Sequence, residues 1–297
     1  MTREQISLVL ETASGFKDVL KRDIKKVPAL RGRTVFNLFF EPSTRTRTSF
    51  ELAAKRLSTD VVNFSVPTSS VVKGESLLDT IATIESYGVD YIIIRHASSG
   101  VPHFIAQHSD ASVLNAGDGI NEHPTQALLD AFTIMEHKTQ IEGLKIAIVG
   151  DILHSRVAKS NIYCLRELGA EVRLIAPPTF VPSHINEEGI DIHYDMDEGL
   201  KGADVIMMLR IQRERQGGGF LPSSDEYSRF WGLTRERLNM ADPEAIVMHP
   251  GPMNRGIEIA SEVADDERSV ILEQVTNGVA VRMAVIYLLG RSKEKEQ

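Results

Sequence analysis

Apolar positions near the start of the chain change from a continuous run to a helical stripe. Residues 34–40 are mostly bulky or β-branched, which is typical of a parallel strand buried on both faces. Glu41 and Pro42 end that strand. Apolar side chains then recur at the spacing i, i+3, i+4, i+7, which predicts a helix with one buried face: Phe50, Ala53, Ala54 and Leu57. The pattern therefore predicts a strand that leads at once into a helix.

The same alternation continues through the first half of the chain. Residues 1–20 predict an amphipathic helix and not a signal peptide. Further strands are expected at 61–64, 90–94 and 112–115, with helices at 75–87 and from Pro124 onward. Parallel strands that alternate with helices predict an α/β domain.

A second alternating unit begins near Gly143. We expect a strand and turn at 144–151 and further strands at 171–176, 190–194, 205–209 and 245–248. The last predicted helix covers 277–289, ends at Gly290 and returns to pack on the first domain. The predicted fold is α/β, with two doubly wound parallel-sheet domains. The first domain comprises 1–138 with the C-terminal helix 277–297, and the second comprises 139–276.

Composition is that of an ordinary globular protein, and charge narrows the range of partners. The chain has 297 residues, 42% hydrophobic and 25% charged, which suits two domains. A net charge of −8 argues against nucleic acid or an anionic membrane as a partner. The single cysteine, Cys164, allows no intrachain disulfide, and no apolar run is long enough to span a bilayer. We therefore expect a cytoplasmic protein.

Hydroxyl and guanidinium groups are concentrated between the first strand and its helix. Four hydroxyls and two guanidinium groups occur between Ser43 and Thr48. The side chain of Ser43 or Thr44 is expected to cap the helix. Free N–H groups, the positive end of the helix dipole and Arg45 would then converge on one point, which is how a protein holds a phosphate without a metal. The alternative is an ordinary capped helix with solvated arginines, and the density of hydroxyls disfavours it.

Other polar segments follow strands in the same domain. Arg95, the 67–74 loop and the 117–126 loop each come directly after a predicted strand, as Arg45 does. Ligands of open α/β sheets bind beyond the carboxyl ends of the strands. We therefore expect these segments to share one rim.

The second half of the chain contains a cluster of arginines and lacks the motifs typical of cofactor-binding sites. Three glycines at 217–219 predict a mobile loop that closes over a site, next to Arg210, Arg213 and Arg215; a disordered surface insertion is the alternative. Residues 150–156 lack the glycine spacing of a dinucleotide-binding turn, which disfavours an NAD-dependent oxidoreductase. Phosphate-loop and zinc spacings are also missing from the sequence. We expect metal-free chemistry on an anionic small molecule, with no cofactor.

Six segments in order resemble the transcarbamylases, and among them the aspartate carbamoyltransferases. The segments are Ser-Thr-Arg-Thr-Arg at 43–47, Lys-Gly-Glu at 73–75, Arg-His at 95–96, His-Pro-Thr-Gln at 123–126, Arg-Ile-Gln at 210–212 and His-Pro-Gly-Pro at 249–252. They span almost the whole chain. The resemblance implies transfer of a carbamoyl group from carbamoyl phosphate to L-aspartate, with release of phosphate, in pyrimidine biosynthesis.

The resemblance also implies a role for each matched residue. Carbamoyl phosphate would be bound by Ser43, Thr44, Arg45, Thr46, Ser69, Arg95, His123, Gln126, Pro250 and Gly251. Within that set Thr46, Arg95 and His123 would meet the carbonyl oxygen, while Gln126 and the carbonyls of Pro250 and Gly251 would take the carbamoyl NH2. Aspartate would be bound by Lys73, Arg156, Arg210 and Gln212. The residues expected to act in catalysis are Arg45, Thr46, Lys73, Arg95, His123 and Gln126.

The sequence determines the oligomeric state and the acceptor substrate less closely than it determines the class of reaction. Ser69 and Lys73 match a family loop that reaches into a neighbouring subunit, which implies a homotrimer with shared sites. Val72 stands where some members carry a second lysine. The sequence leaves open whether a regulatory chain or a dihydroorotase joins the assembly. Another acceptor such as ornithine, or a non-catalytic anion-binding paralogue, stays as an alternative, although Arg210 and Lys73 favour a dicarboxylate.

Overall fold

All strands in the described part of the chain are parallel to their neighbours. A computed structural model describes residues 1–65, 76–183, 185, 189–211 and 223–296. The strands are β1 (Thr34–Phe39), β2 (Asp60–Ser65), β3 (Tyr91–His96), β4 (Ser112–Asp118), β5 (Lys145–Val149), β6 (Glu171–Ile175), β7 (Asp191–His193), β8 (Val205–Met208) and β9 (Ile246–Met248). They form a sheet of order β2-β1-β3-β4 and a sheet of order β7-β6-β5-β8-β9.

Helices alternate with these strands. They are α1 (Arg3–Leu20), α2 (Thr44–Arg56), α3 (Leu77–Glu85), α4 (Val101–Ala106), α5 (Pro124–His137), α6 (Arg156–Glu167), α7 (Met196–Leu200), α8 (Ser224–Trp231), α9 (Arg235–Leu238), α10 (Ser261–Ala264) and α11 (Ile271–Glu296). The predicted α/β class with two parallel-sheet domains is confirmed. In the described part of the chain, no helix combines the length and the apolar character that crossing a membrane requires.

The chain divides into two compact units. The first unit comprises Glu4–Leu128 and Thr276–Gln297, and the second comprises Met1–Arg3 and Leu129–Val275. The greater part of α11 thus belongs with the N-terminal sheet, as the prediction of a returning C-terminal helix requires.

The central strands β1 and β3 of the first sheet are buried on both faces, which explains their continuous apolar runs. Val35 and Phe39 of β1 pack in a cluster with Phe50 of α2 and Met283 of α11. The alternate residues Phe36 and Leu38 pack on the opposite face with Ile81 of α3 and Ile105 of α4. Because side chains alternate along a strand, helices on both faces leave these two strands no solvent-exposed side.

The second sheet has a comparable core. Val149 of β5 and Met208 of β8 pack with Leu200 of α7 and Leu238 of α9. Cys164 lies buried on α6, and its burial raises the pKa of the thiol to about 12, with the Asp130 carboxylate adding to the shift.

The last helix is longer than the sequence indicated, and the expectation that it stops at Gly290 is wrong. Helix α11 continues through this glycine. Gly290 is instead a point of close approach, because a Cβ there would overlap the Tyr91 hydroxyl and lie 2.9 Å from Leu30 Cδ2. The glycine is needed for packing against β3 and not for ending the helix. Helix α4, preceded by Gly100 in the left-handed region (φ 86°), was not predicted.

The close approach at Gly290 predicts that even one added methyl group destabilises the first unit. We expect Gly290→Ala to lower the free energy of unfolding by about 1–3 kcal/mol, because Tyr91 is buried in the core and overpacking forces it to shift. Urea denaturation would measure the change. Gly15 in α1 is the matched control, since nothing lies within 4 Å of its added Cβ. Gly15→Ala should be neutral or stabilising by up to about 1 kcal/mol. Equal effects of the two substitutions would contradict the packing explanation.

Candidate active site

The turn from β1 into α2 places the hydroxyl-rich segment at a helix N-terminus. Ser43 is the N-cap residue, but its side chain makes no capping hydrogen bond within the described chain, so the expectation of a Ser43 side-chain cap is wrong. The intrahelical ladder begins with the Arg47 N–H, which donates to the Ser43 carbonyl (3.1 Å). The N–H groups of residues 44–46 lie ahead of that ladder, at the positive end of the helix dipole. The N-terminal end of a helix in this arrangement is suited to an anion.

Arg95 stands beside that helix end because β3 is the neighbour of β1. The register places Phe39 opposite Arg95, and the Phe40 N–H donates to the Arg95 carbonyl (2.9 Å). Arg95 Nε lies 3.3 Å from Glu41 Oε2, and the Arg95 side chain is only 14% exposed. The sequence indicated Glu41 only as the end of a strand, whereas its carboxylate forms an ion pair with the arginine.

A bulge redirects the end of β3. The register with β4 shifts between Ile94 and His96, so that Ile94 faces Asn115 while His96 faces Asp118. Bulges of this kind re-aim side chains next to functional sites. The His96 ring packs edge-on against Phe40 with 4.8 Å between ring centroids, and its Nδ1 accepts from the Ser98 N–H (2.9 Å). Burial lowers the pKa of His96, against the opposing effect of the Glu41 and Asp118 carboxylates.

The carboxylate of Asp118 organises the loops that follow β3 and β4. It is 1% exposed. It accepts hydrogen bonds from the Gly100 N–H (2.6 Å), Asn115 Nδ2 (2.8 Å), Asn121 Nδ2 (3.1 Å) and the Glu122 N–H (3.1 Å). The sequence predicted only a turn here. The acid between two glycines after a strand was the signal that could have identified it.

His123 and Gln126 lie where that loop enters α5. Both are buried, at 4% and 8% exposure, and the Gln126 N–H donates to the His123 carbonyl (2.9 Å). The Gly119 N–H donates to the His96 carbonyl (2.9 Å), which joins this loop to the end of β3. Because β1, β3 and β4 are adjacent and parallel, Arg45, Arg95 and the 117–126 loop share one rim, as predicted.

In the second unit the turn after β5 carries Arg156. Asp151 is fully buried, and its Oδ1 accepts from the His154 N–H (3.1 Å) and lies 2.8 Å from His154 Nδ1. Ser155 caps α6 by accepting from the Ala158 N–H (3.1 Å). Arg156 is thereby the first residue of a capped helix, and it is 3% exposed. No role was predicted for Asp151 or His154 from the sequence.

Arg210 leaves the neighbouring strand at the same edge of the second sheet. Strand β8 pairs with β5, and the Leu209 N–H donates to the Val149 carbonyl (2.8 Å). Gly150, with φ 125°, allows the close contact, since an added Cβ would lie 3.2 Å from both Leu209 Cβ and the Tyr227 hydroxyl. The order β7-β6-β5-β8-β9 reverses direction between β5 and β8, where ligands of such sheets bind.

The segment after β9 carries Pro250 and Gly251. Gly251 has φ 62°, a left-handed conformation that favours glycine, and the Gly251–Pro252 peptide bond is cis. The Gly251 N–H donates to His249 Nδ1 (2.7 Å). Strand β9 is next to β8, so this turn lies at the same edge of the sheet as Arg210.

Several residues and segments named in the sequence analysis lie outside the described chain. They are Ser69, Lys73 and Gln212, together with the 67–74 loop, the glycine loop, Arg213 and Arg215. Within the described residues, no group of three or more His, Cys, Asp or Glu side chains is placed to hold a metal ion.

Family models match both halves of the chain. The model for the carbamoyl-phosphate-binding domain of aspartate/ornithine carbamoyltransferases matches residues 1–136. The model for the aspartate- or ornithine-binding domain of the same enzymes matches residues 142–289. Together they cover nearly the whole chain.

Relatives and solved structures agree with these models. The chain is 59% identical over 296 residues to the aspartate carbamoyltransferase catalytic subunit of Syntrophotalea carbinolica, covering 100% of this chain and 95% of the relative. Its identity to the Moorella thermoacetica catalytic subunit is 58% over 289 residues, covering 97% and 94%. The Trypanosoma cruzi aspartate transcarbamoylase structure with carbamoyl phosphate and aspartate has a TM-score of 0.87 at 32% identity, covering 97% and 93%. The M. jannaschii catalytic subunit has a TM-score of 0.86 at 36% identity, covering 99% and 96%.

The environment of His96 predicts a pH dependence of stability. Because folding lowers the His96 pKa, the folded protein resists protonation there. The contribution of neutral His96 is complete above the unfolded value of about 6.5 and is lost as pH falls through the folded pKa. We expect the stability advantage of wild type over His96→Gln to shrink from pH 8 to pH 5, measured by urea denaturation. Parallel curves for the two proteins would contradict this assignment.

Proposed function

This chain belongs to the aspartate/ornithine carbamoyltransferase family and transfers the carbamoyl group of carbamoyl phosphate to L-aspartate, and we propose that the residues at the carboxyl edges of its two sheets carry that reaction. The observation that carries the proposal is the pairing of β1 with β3, which sets Arg95 beside the N-terminal end of α2. The product is N-carbamoyl-L-aspartate, and we propose that it serves pyrimidine biosynthesis.

The first unit is proposed to hold the phosphate. Ser43, Thr44, Arg45 and Thr46 would supply hydroxyls, N–H groups and a guanidinium at the start of α2, and Arg95 would supply a second guanidinium. Two guanidinium groups and a helix N-terminus suit a dianionic group, since charge-assisted hydrogen bonds are the strong ones. The Glu41 carboxylate at 3.3 Å supports this role by holding Arg95 at the rim.

The reaction needs stabilisation of charge on the carbamoyl oxygen. The amine of aspartate attacks the carbonyl carbon, a C–N bond forms, and negative charge grows on the oxygen until the C–O bond to phosphate breaks. We assign Thr46, Arg95 and His123 to that oxygen, and Gln126 with the Pro250 and Gly251 carbonyls to the NH2 group. One preorganised donor of this kind is typically worth about 3 kcal/mol. The departing phosphate would take the amine proton, so the residues act by positioning and by stabilising charge.

The second unit is proposed to bind aspartate through Arg156 and Arg210, with Gln212 and Lys73 as further contacts. Two carboxylates require two cationic anchors, and arginine offers bidentate geometry. The burial of Arg156 supports the assignment, because a guanidinium that is only 3% exposed attracts a carboxylate more strongly than a fully solvated one does. The proposed domain roles follow: 1–138 with 277–297 for carbamoyl phosphate, and 139–276 for aspartate.

Assembly and location extend the proposal. We propose a homotrimer in which Ser69 and Lys73 complete a neighbour's site, on the strength of their match to the family loop. A cytoplasmic location stays a prediction of the sequence. A regulatory chain or dihydroorotase as partner stays open.

A paired assay tests the acceptor. Purified protein is given carbamoyl phosphate with either L-aspartate or L-ornithine, and both phosphate release and the carbamoylated product are followed. We expect turnover with aspartate alone, because arginines would repel the cationic side chain of ornithine. Turnover with ornithine alone would overturn the roles of Arg156 and Arg210. No turnover with either acceptor would overturn the catalytic proposal.

Removal of Arg45 tests the phosphate site. We expect Arg45→Ala to lower kcat/KM at least about 100-fold, as loss of a charge-stabilising group does, with an unchanged thermal unfolding midpoint. Arg31→Ala is the control, since Arg31 is also an exposed arginine of the first unit but lies outside the proposed site. Near-normal activity of Arg45→Ala would exclude the assignment.

A further inference from the structure

A chain of buried polar side chains lies behind the Pro250–Gly251 turn in the second unit. The backbone N–H of His249 donates to Gln274 Oε1 (2.9 Å), and Gln274 Nε2 donates to Asp130 Oδ1 (2.7 Å). Asn161 Nδ2 donates to the other oxygen, Asp130 Oδ2 (2.8 Å). Asp130 and Asn161 are fully buried, while His249 and Gln274 are 2% and 3% exposed.

The hydrogen-bonded network continues from His249 into the turn. His249 Nδ1 accepts from the Gly251 N–H (2.7 Å), so the ring proton must be on Nε2, which lies 3.2 Å from Glu258 Oε1. Glu258 Oε1 also accepts from the Asn254 N–H. Both ends of the turn are therefore fixed by groups that the core encloses.

The direction of each hydrogen bond leaves the Gln274 amide a single orientation. Its oxygen must face the His249 backbone N–H, which can only donate, and its NH2 must face the Asp130 carboxylate, which accepts. A buried carboxylate is expensive unless its oxygens are satisfied, and a fully satisfied polar network specifies one arrangement of its surroundings. An apolar core would hold the turn without this cost but would not define its orientation.

The network also extends to α6, the helix that carries Arg156, which is proposed to bind the substrate L-aspartate. Asn161 lies on α6, which begins at Arg156. One carboxylate, that of Asp130, thus receives hydrogen bonds from α6 on one side and, through Gln274, from the backbone that leads into Pro250 and Gly251 on the other.

We infer that Asp130 and Gln274 are positioning residues, which set the carbonyl groups of Pro250 and Gly251 through His249. This inference rests on the proposed function, which gives those carbonyls the NH2 of the carbamoyl group. The orientation of the Pro250 and Gly251 carbonyls acts on the reacting carbamoyl group itself. A misplaced carbonyl should therefore lower kcat more than it raises the KM for aspartate or carbamoyl phosphate.

An exchange of the two side-chain types provides the test. In Asp130→Asn, one of the two donors, Asn161 or Gln274, loses its acceptor. In Gln274→Glu, a second carboxylate faces Asp130. The double variant Asp130→Asn/Gln274→Glu restores the three hydrogen bonds that join Asn161, position 130, position 274 and the His249 backbone. The amide introduced at position 130 donates to the carboxylate introduced at position 274 and accepts from Asn161, while that carboxylate still accepts the His249 backbone N–H. Net charge and shape match those of the wild type.

We expect each single variant to lower kcat, by up to roughly 100-fold, and the double variant to recover most of that loss. Steady-state kinetics at saturating concentrations of both substrates would measure kcat, and varying each substrate would measure its KM. Circular dichroism would give the thermal midpoint of every variant. Gln274→Met is a milder probe that adds no charge, and it should lower kcat at an unchanged fraction of folded protein.

A matched control keeps the chemistry of the substitutions but moves them to the surface. Asp18 and Gln107 are exposed, so Asp18→Asn/Gln107→Glu should leave kcat and both KM values unchanged. The inference is overturned if the wild type is active but kcat per folded protein is the same in every network variant. It is also overturned if the double variant is no more active than the worse single variant. An inactive wild type would instead count against the proposed function.

Discussion

The pairing of β1 with β3 is the constraint on which the first unit depends. Their connections leave the sheet in opposite directions, because β2 follows β1 on one side and β4 follows β3 on the other. The two strand ends therefore remain uncovered by either crossover. The first turn of α2 and the Arg95 side chain lie at those ends, and the register that places Phe39 opposite Arg95 sets their separation. The second unit repeats the arrangement with β5 and β8, which end at Val149 and Met208.

Each unit contains carboxylates with little or no exposure to solvent, and each of these carboxylates contacts polar groups of the surrounding protein. Glu41 lies against Arg95, Asp118 accepts from three donors on two loops and one on β4, and Asp130 accepts from donors on α6 and α11. These carboxylates interact with donors on loops, strands and helices of their own unit. The N-terminal end of α2, in contrast, presents N–H groups that suit an anion.

Pattern in the sequence was sufficient for the strands and for the rim of the first sheet. Continuous apolar runs and the placement of Arg45 and Arg95 after strands depend on local periodicity and chain order, which a sequence displays directly. The role of Gln274 could not be found in this way, because its partner comes from a distant segment: Gln274 donates to Asp130, which is 144 positions away. Gly290 was misread for the same reason. A glycine that ends a helix and one that admits a neighbouring side chain look alike until the position of Tyr91 is known.

Cys164 gives the molecule a practical property. With a pKa of about 12, this buried thiol is almost entirely protonated at neutral pH, and only the thiolate reacts readily with maleimides. It is also the single cysteine of the chain. The wild-type protein therefore reacts very little with thiol reagents. One cysteine introduced on each unit could then be labelled with a fluorophore pair without prior removal of Cys164. Energy transfer between the two dyes would then report directly on the distance between the units in solution.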